Sequence, residues 1–344
     1  PGGVGESLRQ GVYDTTLSTG AMDLRLLELI LQEDTPDVEG YADASIKFSG
    51  PLDAPAFKGS VKIPDLVIEN WGPVTLASEF NYEYGALLAR LRLGDDQGEL
   101  FESEGSLLID LVNLARNPSE AIEALATSPW RVSMRVPPRR LSSFPPRFGE
   151  QLVPDANRLK LAASLTVAGG AFRTRGDLHA SFDWASDSSE GLCGSEANPR
   201  ATVRAHLEDG VTELTMDGVV ADAQVLDLEA SALTPLDEWL RRAEIPAWPV
   251  TRISADFYEA PTENIPYLCR YAAGVLNAQL RATGLFGDDP KLSLTMAADE
   301  LRARRLEPAR RAGLVNTIVE TPPSKNRISA AYADGIGDLD IGME

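Results

Sequence analysis

Residues 40–63 read "GYADASIKFSGPLDAPAFKGSVKI", two extended segments joined by a hinge of Gly, Pro and Asp. Ala44, Ile46 and Phe48 alternate with Asp43, Ser45 and Lys47; after the hinge, Val61 and Ile63 alternate with Ser60 and Lys62. Side chains on a strand point to opposite faces with period two, so the stretch predicts a hairpin with one apolar and one wet face. The same alternation recurs along most of the chain. Val74, Leu76, Phe80, Tyr82 and Tyr84 form one such set, and Leu87, Ala89, Leu91 and Leu93 another. Trp130, Val132, Met134 and Val136 repeat it, then Leu159, Leu161, Ala163, Leu165 and Val167, then Leu178, Ala180, Phe182 and Trp184. Val203, Ala205 and Leu207, Ile253, Ala255 and Phe257, and Leu292, Leu294 and Met296 continue it. One apolar face per strand, with frequent Gly, Asp and Pro, predicts a mainly antiparallel sheet.

The 344 residues suffice for a sizeable core, and 43% hydrophobic with 24% charged residues excludes wholesale disorder. Lys and Arg number 32 against 52 Asp and Glu, a net charge of −20. That balance argues against nucleic acid or an anionic membrane surface as partner, because phosphate binding needs a basic footprint. No run of about 18 apolar residues is present to span a bilayer as a helix. The chain opens "PGGVGESLRQG" and closes "DLDIGME", which reads as a piece of a longer protein whose targeting segment lies outside it.

Four short stretches predict helices: 21–32, 117–126, 234–245 and 265–272. Each precedes or follows alternating strands. A short amphipathic or Pro-bearing segment, a strand, a Gly hinge and a second strand recur three times, with hinge glycines Gly50, Gly169 and Gly284 spaced 119 and 115 residues apart. The expected units are roughly 20–117, 118–245 and 246–344, stacked lengthwise as one elongated repeat domain.

Residues with chemistry are sparse. His179 and His206 fall on the polar phase of their strands and read as surface groups. No nucleophile elbow, metalloprotease, P-loop or dinucleotide motif occurs, and no cofactor, metal site or catalytic residue is expected. "GDDQGE" (94–99) and "FGDDPK" (286–291) read as hairpin turns rather than calcium loops. "RARRLEPARR" (302–311) reads as a solvated basic edge or loop. Cys193 lies in an excursion at 188–199 and Cys269 in "IPYLCRYA". They could form a disulfide in an oxidising compartment or remain two separate thiols.

The candidate functional feature is therefore the apolar face itself. On the residues alone it is either the core of a closed sandwich array or the inside of a sheet curled partway round. The residues named for it are Ala44, Ile46, Phe48, Val61, Ile63, Phe80, Tyr82, Leu91, Val132, Met134, Leu161, Leu165, Val167, Phe182, Leu280, Leu292, Leu294 and Met296.

The strand "GYADASIKFSG", the hinge "PLDAP" and "FKGSVKI", with the lead-ins "LELILQ" and "YLCRYAAGVLNAQLRATG", resemble the TamB domain and the wider AsmA-like group of Gram-negative bacteria. The resemblance covers roughly 20–320 and is strongest at 40–68 and 265–298; the second copy, "GGAFRTRG", lacks the hinge proline. It implies an elongated antiparallel sheet curled into a U-shaped trough, the β-taco, with a hydrophobic inner face and a few short helices. It also implies a periplasmic protein held in the inner membrane by an N-terminal helix. Such a protein would carry phospholipid acyl chains towards the outer membrane and work with an outer-membrane partner of the barrel-assembly type. Two other functions stay open: a scaffold that receives strands of outer-membrane barrels by β-augmentation, and an extracellular β-solenoid acting on glycans.

Overall fold

In the computed structural model the described residues are 12–25, 38–51, 54–69, 71–116, 127–144, 159–170, 174–184, 199–235, 250–264, 271–284, 290–307, 317–333 and 336–343. They are mainly β. The chain begins with β1 (Val12–Asp23), β2 (Val38–Glu39), β3 (Tyr41–Pro51), β4 (Ala56–Ile68), β5 (Trp71–Glu83), β6 (Ala86–Asp95) and β7 (Gly98–Leu108). A single-turn-and-a-half helix, α1 (Leu111–Arg116), follows. Then come β8 (Trp130–Arg140), β9 (Leu159–Gly169), β10 (Arg175–Trp184), β11 (Arg200–Glu208), β12 (Val211–Val220) and β13 (Ala223–Leu233). The last are β14 (Val250–Pro261), β15 (Ala272–Thr283), β16 (Lys291–Glu307), β17 (Thr317–Glu320), β18 (Ser324–Ala333) and β19 (Ile336–Met343).

Strand pairing follows the chain almost without exception. β1 lies against β3, and β2 and β3 both lie against β4, separated only by Gly40. From β3 to β16 each strand is antiparallel to the next, and β18 and β19 complete the sheet. β17 pairs only with Arg304–Glu307 at the far end of β16. No pairing joins β19 back to β1 among the described residues, so the sheet is not closed. Tight turns join β5 to β6, β6 to β7, β11 to β12 and β12 to β13, as antiparallel neighbours allow, while β7 and β8 or β8 and β9 are separated by longer stretches.

The strands are interrupted by bulges, most of which fall in line; one, at Ser231/Ala232, lies at the opposite strand ends. Register shifts occur at Thr19/Met22, Ile63/Leu66, Leu93/Gly94, Val136/Arg139, Gly218/Val219, Phe257/Ala260, Ala273/Val275 and Ala298/Leu301. Traced through the cross-strand partners, these lie towards the same end of successive strands. A bulge locally bends its strand and increases its twist.

The core lies along that line. Leu24, Ala42, Ile63, Leu66, Val74 and Leu100 make one buried cluster, Leu141 and Leu159 a second, and Val220, Val225 and Ala260 a third. Leu100 sits in the bulged stretch of β7 and is wholly buried. Between the bends and the opposite strand ends, most large apolar side chains are only half covered. Among the described elements, every substantial contact joins sheet neighbours or a strand and a short 3₁₀ turn. No second layer covers the sheet among the described residues.

The expected helix at 21–32 is corrected at its start: Ala21–Asp23 end β1, because β3 takes up their backbone groups at Ala42 and Tyr41. Residues 26–32, 117–126, 236–245 and 265–270 lie outside the described residues, and Thr234 and Pro235 are not helical. Tyr84 does not extend its strand's apolar face. It occupies the β5–β6 turn with positive φ and is 95% exposed. The start of the basic run, Arg302–Glu307, is the end of strand β16.

Candidate functional site: the apolar face

Register shows how the alternating segments combine. Ala44, Val61, Ser78, Leu91, Ser103, Met134, Leu165 and Leu178 face one another in turn from β3 to β10. Ala205, Leu214, Ala230, Ile253, Ala282, Leu292 and Tyr332 carry the row on to β18. A parallel row runs Leu161, Phe182, Ala201, Gly218, Leu226, Phe257, Ala278, Met296, Ile328 and Ile341. Only serines and one terminal tyrosine interrupt the first row. Every residue named from the sequence for the apolar face falls in this phase, Leu280 and Leu294 included. The structure brings them onto one surface, not into one pocket.

Their burial differs with position. Tyr82 and Ile63 are 3% and 8% exposed, whereas Phe48, Met134 and Leu292 are 40%, 37% and 37% exposed. At the N-terminal end Phe48, Phe57, Phe80 and Tyr82 form an aromatic group, Phe57 stacking on Tyr82 with ring centres 5.0 Å apart. The Tyr82 hydroxyl leaves this apolar setting by donating to the Ile109 carbonyl at 3.0 Å and accepting the Leu111 N–H at 3.2 Å. Phe80 lies across Gly59, where a Cβ would stand 2.2 Å from its ring. Midway along, a cleft of about 180 Å³ has the small residues Ala201 and Gly218 as floor, with Phe182, Leu226 and Phe257 as walls.

Sequence reasoning missed the residues beyond the bends, chiefly Leu66, Val220, Val225, Ala260 and Ala298, and one ion pair. Arg139 falls in the apolar phase past the bulge of β8, yet it reaches the Asp95 carboxylate at 3.1 Å and donates to the Glu99 carbonyl at 3.0 Å. Its side chain is 12% exposed, Asp95's 16%. The pair ties the β6–β7 hairpin, the "GDDQGE" turn, to β8.

The other face carries charge in alternation by strand. Lys58 and Lys62 on β4 adjoin Glu79 on β5, then Arg90 and Arg92 on β6, then Glu102 and Glu104 on β7, then Arg131 and Arg135 on β8. Arg90 bonds Glu104 and Arg92 lies 3.3 Å from Glu102. Asp183 on β10 meets Arg200 on β11 at 2.6 Å, and Arg204 meets Asp217 on β12 at 3.1 Å. β13 departs from the pattern, its Asp227 and Glu229 lying beside acidic β12. His179 and His206 both lie on this face, as expected; Asp177, 2.8 Å from His206, raises the imidazole pKa by hydrogen bonding. Arg281 on β15 donates twice to Asp256, at 2.9 and 2.7 Å, and holds that carboxyl below its ordinary pKa.

Cys193 and Cys269 lie outside the described residues. No protein-family model, curated protein or solved structure matches this chain.

Proposed function

We propose that this chain is a stretch of a TamB/AsmA-like lipid conduit of the Gram-negative envelope, holding phospholipid acyl chains against its apolar face. One observation carries the reading: the apolar rows run from one end of the sheet to the other, and among the described residues no element is packed across them. The line of bulges supports a sheet curled into a trough, since bends repeated at one level of successive strands turn the same edge inward. In this reading acyl chains lie inside, headgroups stay at the open side, and the charged face looks into the periplasm between inner and outer membranes.

Burial favours holding without fixing. At ~0.8 kcal/mol per CH₂, a 16-carbon chain gains on the order of 12 kcal/mol gross on leaving water. Along a row of similar side chains, each shift exchanges one apolar contact for another, so sliding costs little although escape costs much. Such a conduit needs no catalytic group.

The test is phase-specific photo-crosslinking in the presence of phospholipid vesicles. A photoreactive residue at Phe48 or Phe182 is expected to capture lipid, and one at Lys47 or Asp183 is not. Equal labelling on both phases, with no phospholipid in native mass spectra of the purified protein, would rule the reading out.

A further inference from the structure

One row of the charged face carries no carboxylate from β1 to β10. It runs from Thr16 and Lys47 through Lys58, Asn81, Leu88, Ser106 and Arg131 to Arg175. Towards its ends Lys47 meets Asp14 at 3.0 Å and Arg175 meets Glu208 at 2.9 Å. Lys58 and Arg131, within the row, are exposed and make no ion pair among the described residues. The adjacent row does not answer them, because Arg90 holds Glu104 and stands directly opposite Glu79. Midway between the two cations lies Leu88, an apolar residue in the polar phase of β6 and 51% exposed. The face is hollow there: a depression of about 500 Å³ is lined by Lys58, Glu79, Asn81, Leu88, Arg90 and Glu104.

From this arrangement we infer that the hollow is a docking site for an acidic, extended segment of a partner polypeptide. The segment lies across β4 to β8 with carboxylates at Lys58 and Arg131 and one apolar side chain against Leu88. Strands stand about 4.8 Å apart, so Leu88, two strands from each cation, is roughly 10 Å from either. A polyproline II segment turns once every three residues and rises about 9.3 Å in doing so. Its residues i, i+3 and i+6 therefore reach the three positions from one side. Charge decides the sign of the occupant, and width decides its kind. At physiological salt, charges beyond about 8 Å are largely screened, so a narrow segment senses this row and not the net charge of −20. A membrane surface or a second copy covers a wider area, and would press acidic groups against Glu79, Glu83 and the carboxylates of β12 and β13. Opposite charges supply the orientation, and the apolar contact at Leu88 supplies burial.

The inference does not depend on lipid binding. Its test uses a fluorescent, proline-rich synthetic peptide with Glu at its first and seventh positions and Leu at its fourth, titrated against the whole purified protein and followed by anisotropy. Exchanging both cations, Lys58→Glu with Arg131→Glu, turns two attractions into repulsions and is expected to weaken binding at least about tenfold. The exchanged protein should prefer the same peptide with Lys for Glu. Lys325→Glu with Arg327→Glu makes an equal charge change at exposed positions on β18 and should leave binding as it was. Leu88→Ser should weaken binding without altering the preference for Glu over Lys, and a photoreactive residue at Leu88 should label the bound peptide. All of these positions are exposed, so the unfolding midpoints should match that of the parent. Equal weakening by the β18 exchange would show attraction to overall charge alone and overturn the proposal. So would no binding by the parent, an unchanged preference after the Lys58 and Arg131 exchange, no labelling from Leu88, or a self-associated protein that the exchange dissociates.

Discussion

A charged pair inside an apolar phase is the residue that departs furthest from the pattern around it. Arg139 and Asp95 are each mostly covered, and Arg139 also satisfies the Glu99 carbonyl. Removing one partner leaves the other desolvated without compensation, which costs more than the pair itself contributes. Arg139→Ala is expected to destabilise the protein by about 2 kcal/mol, and the double change Arg139→Ala with Asp95→Ala by less; chemical denaturation of both variants decides it. A larger loss in the double variant would mean that the pair acts through something other than Asp95. On the exposed face, Arg281 makes a different kind of contribution. Its hydrogen bonds are the main cause of the lowered Asp256 pKa, so the pair's contribution is complete above the ordinary carboxylate pKa. It fades as pH falls through the lowered value. Arg281→Gln should therefore raise the Asp256 pKa, followed by its carboxyl carbon shift on titration, and change stability at pH 7 less than Arg139→Ala does, because Arg281 is 42% exposed and a glutamine or water can still donate to Asp256.

At the scale of the strand, the bulges interrupt the ladder, and Gly274 shows how tightly one is built. Its φ is +146°, and a Cβ there would lie 2.9 Å from both the Asp299 carbonyl oxygen and the Leu301 Cα. These are backbone atoms of the neighbouring strand, held by their own ladder, and cannot yield as a side-chain tip can. Gly274→Ala is expected to cost about 2 kcal/mol, and Ala273→Gly beside it distinctly less; thermal unfolding of the two variants compares them. The strands themselves were legible because alternation of period two needs no tertiary knowledge, and their antiparallel order follows where the connection is a tight turn, as between β5 and β6 or β11 and β12. The bulges were not, since Pro64–Asp65, Pro137–Pro138 or Asp299–Glu300 read individually as ordinary strand or turn residues. A signal was nevertheless present. The apolar phase slips by one residue in "VKIPDLVI", from Val61 and Ile63 to Leu66 and Ile68, and in "ADFYEA", from Ala255 and Phe257 to Ala260. A one-residue slip either flips a strand over or marks an extra residue. Taking strand phase as constant therefore left the buried residues beyond the bends unnamed. The helix at 21–32 was misplaced at its first turn for a related reason: its apolar spacing also satisfies a bulged strand, and β3 was there to pair with it.

For the molecule as a whole, the proposed conduit depends on continuity more than on any one contact. Leu165 sits near the middle of the longest row, opposite Met134 on one side and Leu178 on the other, while the adjacent Thr166 belongs to the charged face. A carboxylate at Leu165 would place an unpaired charge among apolar side chains, and an acyl chain sliding past would have to desolvate it, at a cost of several kcal/mol. The sheet should survive, because this part of the face is half exposed and water can reach the new group from the open side. Leu165→Asp is therefore expected to reduce lipid transfer between vesicles by at least about tenfold, with far-ultraviolet circular dichroism and unfolding midpoint close to those of the parent. Thr166→Asp adds the same charge one residue away, on the face where charge is already common, and should leave transfer unchanged. Lipid capture at Phe48, distant along the sheet, should persist in the Leu165 variant, because holding a chain needs only a local stretch of the face. Full transfer by a folded Leu165→Asp protein would mean that lipid does not pass along the rows, and capture lost together with transfer would point to a general loss of the face instead of a local block.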